Sequence, residues 1–420
     1  MLGLPTVCKS AAALGAAVLL TAAIAQPVSR RVASGTIATV AWPYFPGSTI
    51  PVRVSGFTMP YHAALLGPGR LGSTGSYEIP DQTRAGSAFL VAGNADGLAA
   101  ARLSIAKPPD PKRTLLAVAS YDNGLIFHDS HDFSVLGVLA TGGTPSDTAI
   151  DNLGRIAATD TQGSQLTLAT LAPWVVAHVN DVLFGDNVAI DFESHDIFVT
   201  NRDLNGNGGL TRIAPDGATK RVVTGATAEG LAIDQASRLV YVANTNDGTV
   251  AVVEQASMRR VRRFSAIPRV FSLVLSRDGG RLYAISNQSM SSPFGAPGRA
   301  IAIDVRDRIP RVVARSASLT FPLGAALDSK GHRLFVTDEA LGEVYVLDAQ
   351  TLRQKSDPLR TCQIPWKPTY DPVAQRLYVP CAGADRVDVF DGQTLKHVAG
   401  APFHTGGYPL AVAIWHSRAG

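Results

Sequence analysis

Three acidic residues and a run of aromatics are the parts of this chain best suited to chemistry. Asp186 and Glu229 each stand five residues before an aspartate that closes an apolar run, NVAID ending at Asp191 and GLAID ending at Asp234. Asp147 occupies the matching stretch before Asp151. Carboxylates carried to equivalent places by a repeat gather on one wall, where they can hold a cation or act as a base. Aromatics punctuate the same connections at Phe184, Phe271, Phe321, Trp366 and Tyr408. A mouth lined by Asp147, Asp186, Glu229, Trp366 and Tyr408 suits a small ligand or a peptide. The plainer role for any one of them is a wedge between neighbouring elements or a solvated charge.

A second group is the stretch DLNGNGG at 203–209. Oxygen ligands at alternate positions followed by glycine are how a calcium loop wraps a hard cation, which makes Asp203, Asn205 and Asn207 candidate ligands. Thr211 adds a fourth oxygen, as in the calcium loops of integrin-like propeller repeats, which this stretch resembles. Calcium is the one cofactor with any support. Only one residue is acidic and the twelfth position is Ala214 rather than Glu, so such a site would be weak. Asn and Gly also make ordinary hairpin turns.

Other motifs lead away from function. The GPGRLG at 67–72 matches a dinucleotide fingerprint in letters only, because strand-like segments flank it and no helical pattern follows. HDSHD at 128–132 groups two histidines with two aspartates, and is expected on a solvated outer turn. Arg259, Arg260, Arg262 and Arg263 form the one basic cluster, also expected on an outer turn. With a net charge of only +4 over 420 residues, a nucleic-acid partner is not expected. No haem, zinc, nucleophile-elbow or P-loop signature is present.

The elements that must position these residues come from a repeat. One strand type ends at Asp151, Asp191, Asp234, Ser276, Asp328, Asp371 and Trp415, at spacings of 40, 43, 42, 52, 43 and 44 residues. A following strand starts near Leu115, Arg155, Ile197, Leu239, Leu282, Leu334 and Leu377. Both series have seven members but are offset by one strand. The last strand, PLAVAIW at 409–415, is therefore expected to complete the first sheet. EVYVLD at 343–348 is apolar on both faces, as a strand sandwiched between neighbouring sheets must be. The repeated terminal Asp bonds backbone N–H groups two residues on and pins a tight turn, a structural role. The long spacing before Asp328 holds SMSSPFGAPGR at 289–299, a surface insertion suited to contacts.

These residues carry a family resemblance. IFVTN (197–201), VYVAN (240–244) and LFVTD (334–338) resemble the YVTN-type propeller repeat, as does RDGGRLYAISN (277–287). The resemblance covers about 114–416 and implies a seven-bladed β-propeller of the kind found in extracytoplasmic and surface-layer proteins. It specifies the fold strongly and the activity hardly at all. In such a propeller Cys362 and Cys381 leave adjacent blades on one face. A bridge between them is favoured over two free buried thiols, at roughly 3 kcal/mol of stabilisation.

Before the repeat, 35–106 reads as short β-type runs split by Gly, Pro and Ser, a small sandwich that resembles bacterial immunoglobulin-like modules in PVRVSGF and AGSAFLVAGNADG. KPPDPKR at 107–113 is a stiff linker. Residues 1–25 read as a secretory leader: Lys9, an apolar run from Ala11 to Leu20 and Ala23-Ile24-Ala25 as the cleavage pattern; an uncleaved anchor is the rival, and 26–34 is a linker. The expectation is an all-β, monomeric chain, secreted, periplasmic or on the cell surface, with no transmembrane segment once the leader is removed. Its function is expected to be binding or scaffolding, for an unknown protein or small-molecule ligand. A lactonase-type hydrolase is the alternative, because seven-bladed lactonases resemble the chain in repeat type; there Asp186 or Glu229 would activate water or hold a metal.

Overall fold

The computed structural model describes residues 33–56, 60–72, 75–95, 97–288 and 296–417. The leader, most of the linker at 26–34 and most of the 289–299 insertion lie outside the described residues. The described chain is β throughout apart from a 3-10 turn at Ala382–Ala384, and it separates into two units between Lys107 and Pro108. No helix among the described residues is long and apolar enough to cross a membrane.

The first unit holds three small sheets. The largest orders its strands Ala33–Ser34, Gly97–Ile105, Gly86–Asn94, His62–Leu66. Burial alternates along Gly97–Ile105, so one face is covered. Phe45, Tyr77, Leu90 and Leu103 fill the core. The GPGRLG stretch joins His62–Leu66 to Arg70–Leu71 through left-handed backbone at Gly67 and Gly69, and no helix follows it.

The second unit is seven successive four-stranded antiparallel sheets. The innermost strands are Pro409–Trp415, Thr148–Ile150, Gly185–Ile190, Ala228–Asp234, Val270–Leu275, Pro322–Asp328 and Thr369–Asp371. Six sheets take their strands in chain order. The first is composite: Leu115–Ser120 pairs with Gly124–Asp129 on one side and with the C-terminal strand on the other, from Leu115↔Trp415 to Ala119↔Ala411. Each innermost strand touches the next, and Pro409–Trp415 touches both Thr369–Asp371 and Thr148–Ile150.

Burial on both faces follows from stacking. Phe335, Val344 and Val346 of the sixth sheet pack with Leu377, Val379 and Phe390 of the seventh, while Leu334 and Val336 pack back onto Tyr283 and Ile285 of the fifth. Each large side chain so buried contributes about 2 kcal/mol. The threonine of the VTN and VTD motifs ties sheets together. Thr200 Oγ1 accepts the Asn187 N–H at 3.0 Å and donates to the Glu229 carbonyl of the next sheet at 2.5 Å. Thr337 does the same between the Gly324 N–H (3.0 Å) and the Trp366 carbonyl (2.7 Å).

The strand-closing aspartates are turn pins. Asp151, Asp191, Asp234 and Asp371 accept N–H groups from Leu153, Glu193, Ala236 and Val373, two residues on. Asp328 instead reaches Gly331, three on. Several are also tied to the following sheet: His195 Nδ1 lies 3.0 Å from Asp151, Arg238 3.2 Å from Asp191 and His416 Nε2 3.0 Å from Asp371.

Two placements differ from expectation. Arg259–Ser265 is the outermost strand of the fourth sheet, so the arginine cluster lies on strand rather than turn; its alternation with Val261 and Phe264 suits an edge. His128 is fully buried at the end of Gly124–Asp129 instead of lying on an outer turn. Its Nδ1–H donates to the Phe133 carbonyl at 3.0 Å and its Nε2 meets the Thr405 hydroxyl at 3.2 Å. Burial lowers its pKa to about 4.

Candidate functional site at the channel end

The innermost strands lose regular pairing just where the candidate carboxylates occur. In the third, fourth and sixth sheets two residues oppose one on the partner strand: Asp186-Asn187, Glu229-Gly230 and Leu323-Gly324. In the fifth and first sheets the extra residue is Phe271 or Leu410. Ser146-Asp147 directly before the innermost strand of the second sheet, and Trp366-Lys367 one residue further back in the seventh, hold the same places counted from the strand-closing Asp. A bulge turns a strand and re-aims its side chains. Repeated here, it collects one pair of residues per sheet at one end of the channel. Gly324 is needed for the approach: a Cβ there would meet the Lys367 Cα at 2.8 Å.

Two polar groupings result. Lys367 Nζ lies 2.5 Å from Asp147 Oδ2 and 3.0 Å from Asn187 Oδ1, so a side chain of the seventh sheet binds the second and third. Asp147 also accepts the Val188 and Thr148 N–H groups, each at 3.0 Å. Burial pushes its carboxyl upward, and the Lys367 ammonium and these amides oppose that. The second grouping is Asp186 with Glu229. Burial holds Glu229 well above the usual carboxylate range, and the charge of Asp186 and a hydrogen bond to it add to this, against Arg202 and Arg269. Each of the two carboxyls thus disfavours charge on the other, which sets a pair of mutually perturbed oxygens side by side.

The cavity between them is lined by Ser146, Asp186, Asn187 and Lys367 on its polar side and by Phe271, Leu323 and Trp366 on its apolar side, with a volume of about 20 Å³. Phe271 and Trp366 meet edge to face with centroids 6.4 Å apart. Of the five expected mouth residues Asp186 and Trp366 line this cavity, while Asp147 and Glu229 do not but meet its lining residues Lys367 and Asp186. Tyr408 does not line the cavity: its ring packs on Tyr121 at 6.1 Å and its N–H donates to Asp385 at 2.9 Å. Lys367 and Asn187 were not foreseen. The signal was available, since both stand four residues before a strand-closing Asp, the same column as Asp147.

Asp203 turns its carboxylate into the 203–209 loop. Asp203 Oδ1 accepts the Asn205 and Asn207 N–H groups, both at 2.9 Å, and its Oδ2 accepts the Asn207 side-chain amide at 3.0 Å. Thr211 is buried on the following strand and donates to Asn201 at 3.2 Å. Asp203 thus serves its own hairpin turn and Thr211 serves Asn201, so two of the four expected calcium ligands are engaged within the chain. Cys362 and Cys381 are joined in a disulfide, beside buried Asp388, which accepts from Thr361 at 2.7 Å and pairs with Arg386 at 2.9 Å.

No family model matches the chain, and no curated protein matches it. Solved structures do. The periplasmic gluconolactonase of Pseudomonas aeruginosa is 14% identical, covering 73% of this chain and 99% of its own, with a TM-score of 0.59. A putative 6-phosphogluconolactonase from Bacteroides fragilis is 12% identical, covering 72% and 98%, with a TM-score of 0.59. The Cps50 (Swd1) β-propeller domain of Myceliophteria thermophila is 11% identical, covering 72% and 93%, with a TM-score of 0.54. At such identity the likeness speaks to architecture alone: the chain is an all-β protein with a β-propeller fold.

Proposed function

We propose that the seven sheets are the blades of one ring closed by Pro409–Trp415, preceded by an immunoglobulin-like sandwich. In this reading the chain is an exported cell-envelope protein that binds a small hydroxyl-rich ligand across the channel end, with a single hydroxyl, rather than the whole ligand, in the water-sized cavity. The leader pattern and the Cys362–Cys381 bridge favour export. The observation that carries the binding reading is the mixture at the channel end. Asp186 and Glu229 set two carboxyls side by side, Lys367 is held by Asp147 and Asn187, and Trp366 and Phe271 supply apolar surface. A polyol presents matching hydroxyls and C–H faces. One further observation favours a second reading, lactone hydrolysis. Burial and the neighbouring Asp186 push the Glu229 carboxyl upward, and two carboxyls in unlike surroundings can divide the acid and base roles of ring opening; two of the similar structures are named as lactonases.

Titration with neutral sugars, sugar acids and their lactones, followed by calorimetry and Trp fluorescence, separates the readings. Saturable binding without turnover, weakened at least tenfold by Asp186→Asn, supports the binding protein. Lactone opening abolished by the same change and by Glu229→Gln establishes the hydrolase instead. Binding or turnover untouched by both variants removes the site from consideration.

A further inference from the structure

The outermost strands of the seven sheets differ sharply in charge. Four carry almost none: Val135–Leu139 and Trp174–Asn180 have no Lys, Arg, Asp or Glu, Leu359–Arg360 has one arginine and Phe403–His404 has none. The other three are Thr219–Ala226, Arg259–Ser265 and Arg311–Arg315, on the consecutive third, fourth and fifth sheets. They read TKRVVTGA, RRVRRFS and RVVAR, with eight cationic residues and no acidic one. Lys220 donates to the Ser257 carbonyl at 2.8 Å and Arg262 to the Asp307 carbonyl at 2.9 Å, so neighbouring rims are laced together. Arg263 and Arg311 are offset by Asp247 and Asp307, but among the described residues Arg259, Arg260, Arg262 and Arg315 form no ion pair.

Apolar side chains stand between these cations. In the fourth and fifth sheets the outer strand carries the same bulge: Val261 is the extra residue opposite Val252/Val253, and Val313 the extra residue opposite Ala302/Ile303. Both are exposed, at 43% and 48%, as is Val223 of the third sheet at 50%. Charges and bulges are also how a sheet edge is blunted against pairing with another strand. That need applies to every outer strand, yet only these three, on consecutive sheets, carry two or more cations each.

We propose that this arc of the rim is a docking surface for an anionic lipid bilayer. Cations draw the rim to the headgroups, and the protruding valines enter the interface between them. A nucleic acid or acidic polysaccharide would neutralise the arginines but give the valines nothing to bury in, so the alternation favours lipid. The surface is separate from the channel end and independent of what binds there.

Co-sedimentation of the full chain with phosphatidylcholine vesicles, with and without about one third phosphatidylglycerol, tests this. Binding is expected to need the anionic lipid and to fall as salt is raised from about 0.1 M to 1 M, as the Debye length shrinks from roughly 10 to 3 Å. Removing one arginine should cost about fivefold in partitioning, and Arg259→Gln/Arg262→Gln/Arg315→Gln together about a hundredfold. Val261→Ser/Val313→Ser should weaken vesicle binding while leaving retention on heparin unchanged, and an unchanged melting temperature shows that these surface variants fold. Equal binding to neutral vesicles, binding that survives the triple substitution, or heparin retention with no vesicle binding each overturn the proposal; the last makes the rim a polyanion site.

Discussion

The two ends of the innermost strands are built on opposite rules. Where they finish, the same residue recurs: Asp151, Asp191, Asp234, Asp328 and Asp371 each cap a turn through their own backbone. Where they begin, the paired positions read Ser-Asp, Asp-Asn, Glu-Gly, Phe-Ser, Leu-Gly, Trp-Lys and Leu-Ala in successive sheets. Within one chain, sameness between repeats marks what every sheet needs in order to stand. Difference between repeats marks a place where the sheets act together on something asymmetric. The carboxylates at the finishing end are as buried as Asp147, yet their partners lie almost wholly in the turn and the adjacent sheet. Asp147 is instead held by a lysine from the seventh sheet.

The largest effect should come from breaking the cross-channel tie. Lys367→Met leaves Asp147 buried without its counter-charge and should cost about 3–5 kcal/mol by urea denaturation at pH 7. Burial already raises the Asp147 carboxyl, and losing Lys367 raises it further. The folded state then binds the proton more tightly than the unfolded chain, so stability falls as pH rises above the unfolded carboxyl range. The deficit should accordingly shrink toward pH 4. A deficit independent of pH would mean that Lys367 acts only by packing.

Next comes the threonine that serves both ends of the argument. Thr337→Val strands the Gly324 N–H and the Trp366 carbonyl, for about 1–3 kcal/mol, and should also disturb ligand binding because it holds the bulge. Asp191→Ala at the finishing end should cost about 1–2 kcal/mol through the Glu193 and Ser194 amides; the half-exposed Arg238 adds little. Ligand affinity should be untouched by that change, and an altered affinity would erase the contrast drawn above. The smallest effect is expected at the 203–209 loop. Several millimolar calcium should leave the melting temperature unchanged, because Asp203 already accepts three hydrogen bonds from its own loop.

What was legible in the sequence follows this division. Counting strand-closing residues placed Pro409–Trp415 beside Leu115–Ser120, and the backbone pairs there. The aspartates could be read as turn pins because an Asx turn is a local interaction. The channel end was only half legible. Asp186 and Glu229 stood out as carboxylates in one column, while Lys367 was passed over because its significance depends on residues 220 positions away. Polar composition misled at His128 and leaves the 203–209 loop open to two readings. HDSHD reads as a turn from end to end, although His128 is still strand and buried. The oxygens of Asp203, Asn205 and Asn207 have the right spacing for a cation, but spacing does not say whether they face outward or into the loop.

The composite first sheet has a consequence for the order of events in the cell. Leu115–Ser120 is synthesised well before Pro409–Trp415, its partner on one side. Throughout translation, and any passage through a translocation pore, that strand presents a bare hydrogen-bonding edge to whatever is nearby. The first sheet cannot be completed until Pro409–Trp415 has been made, so a chain cut short before that strand keeps an edge open to aggregation.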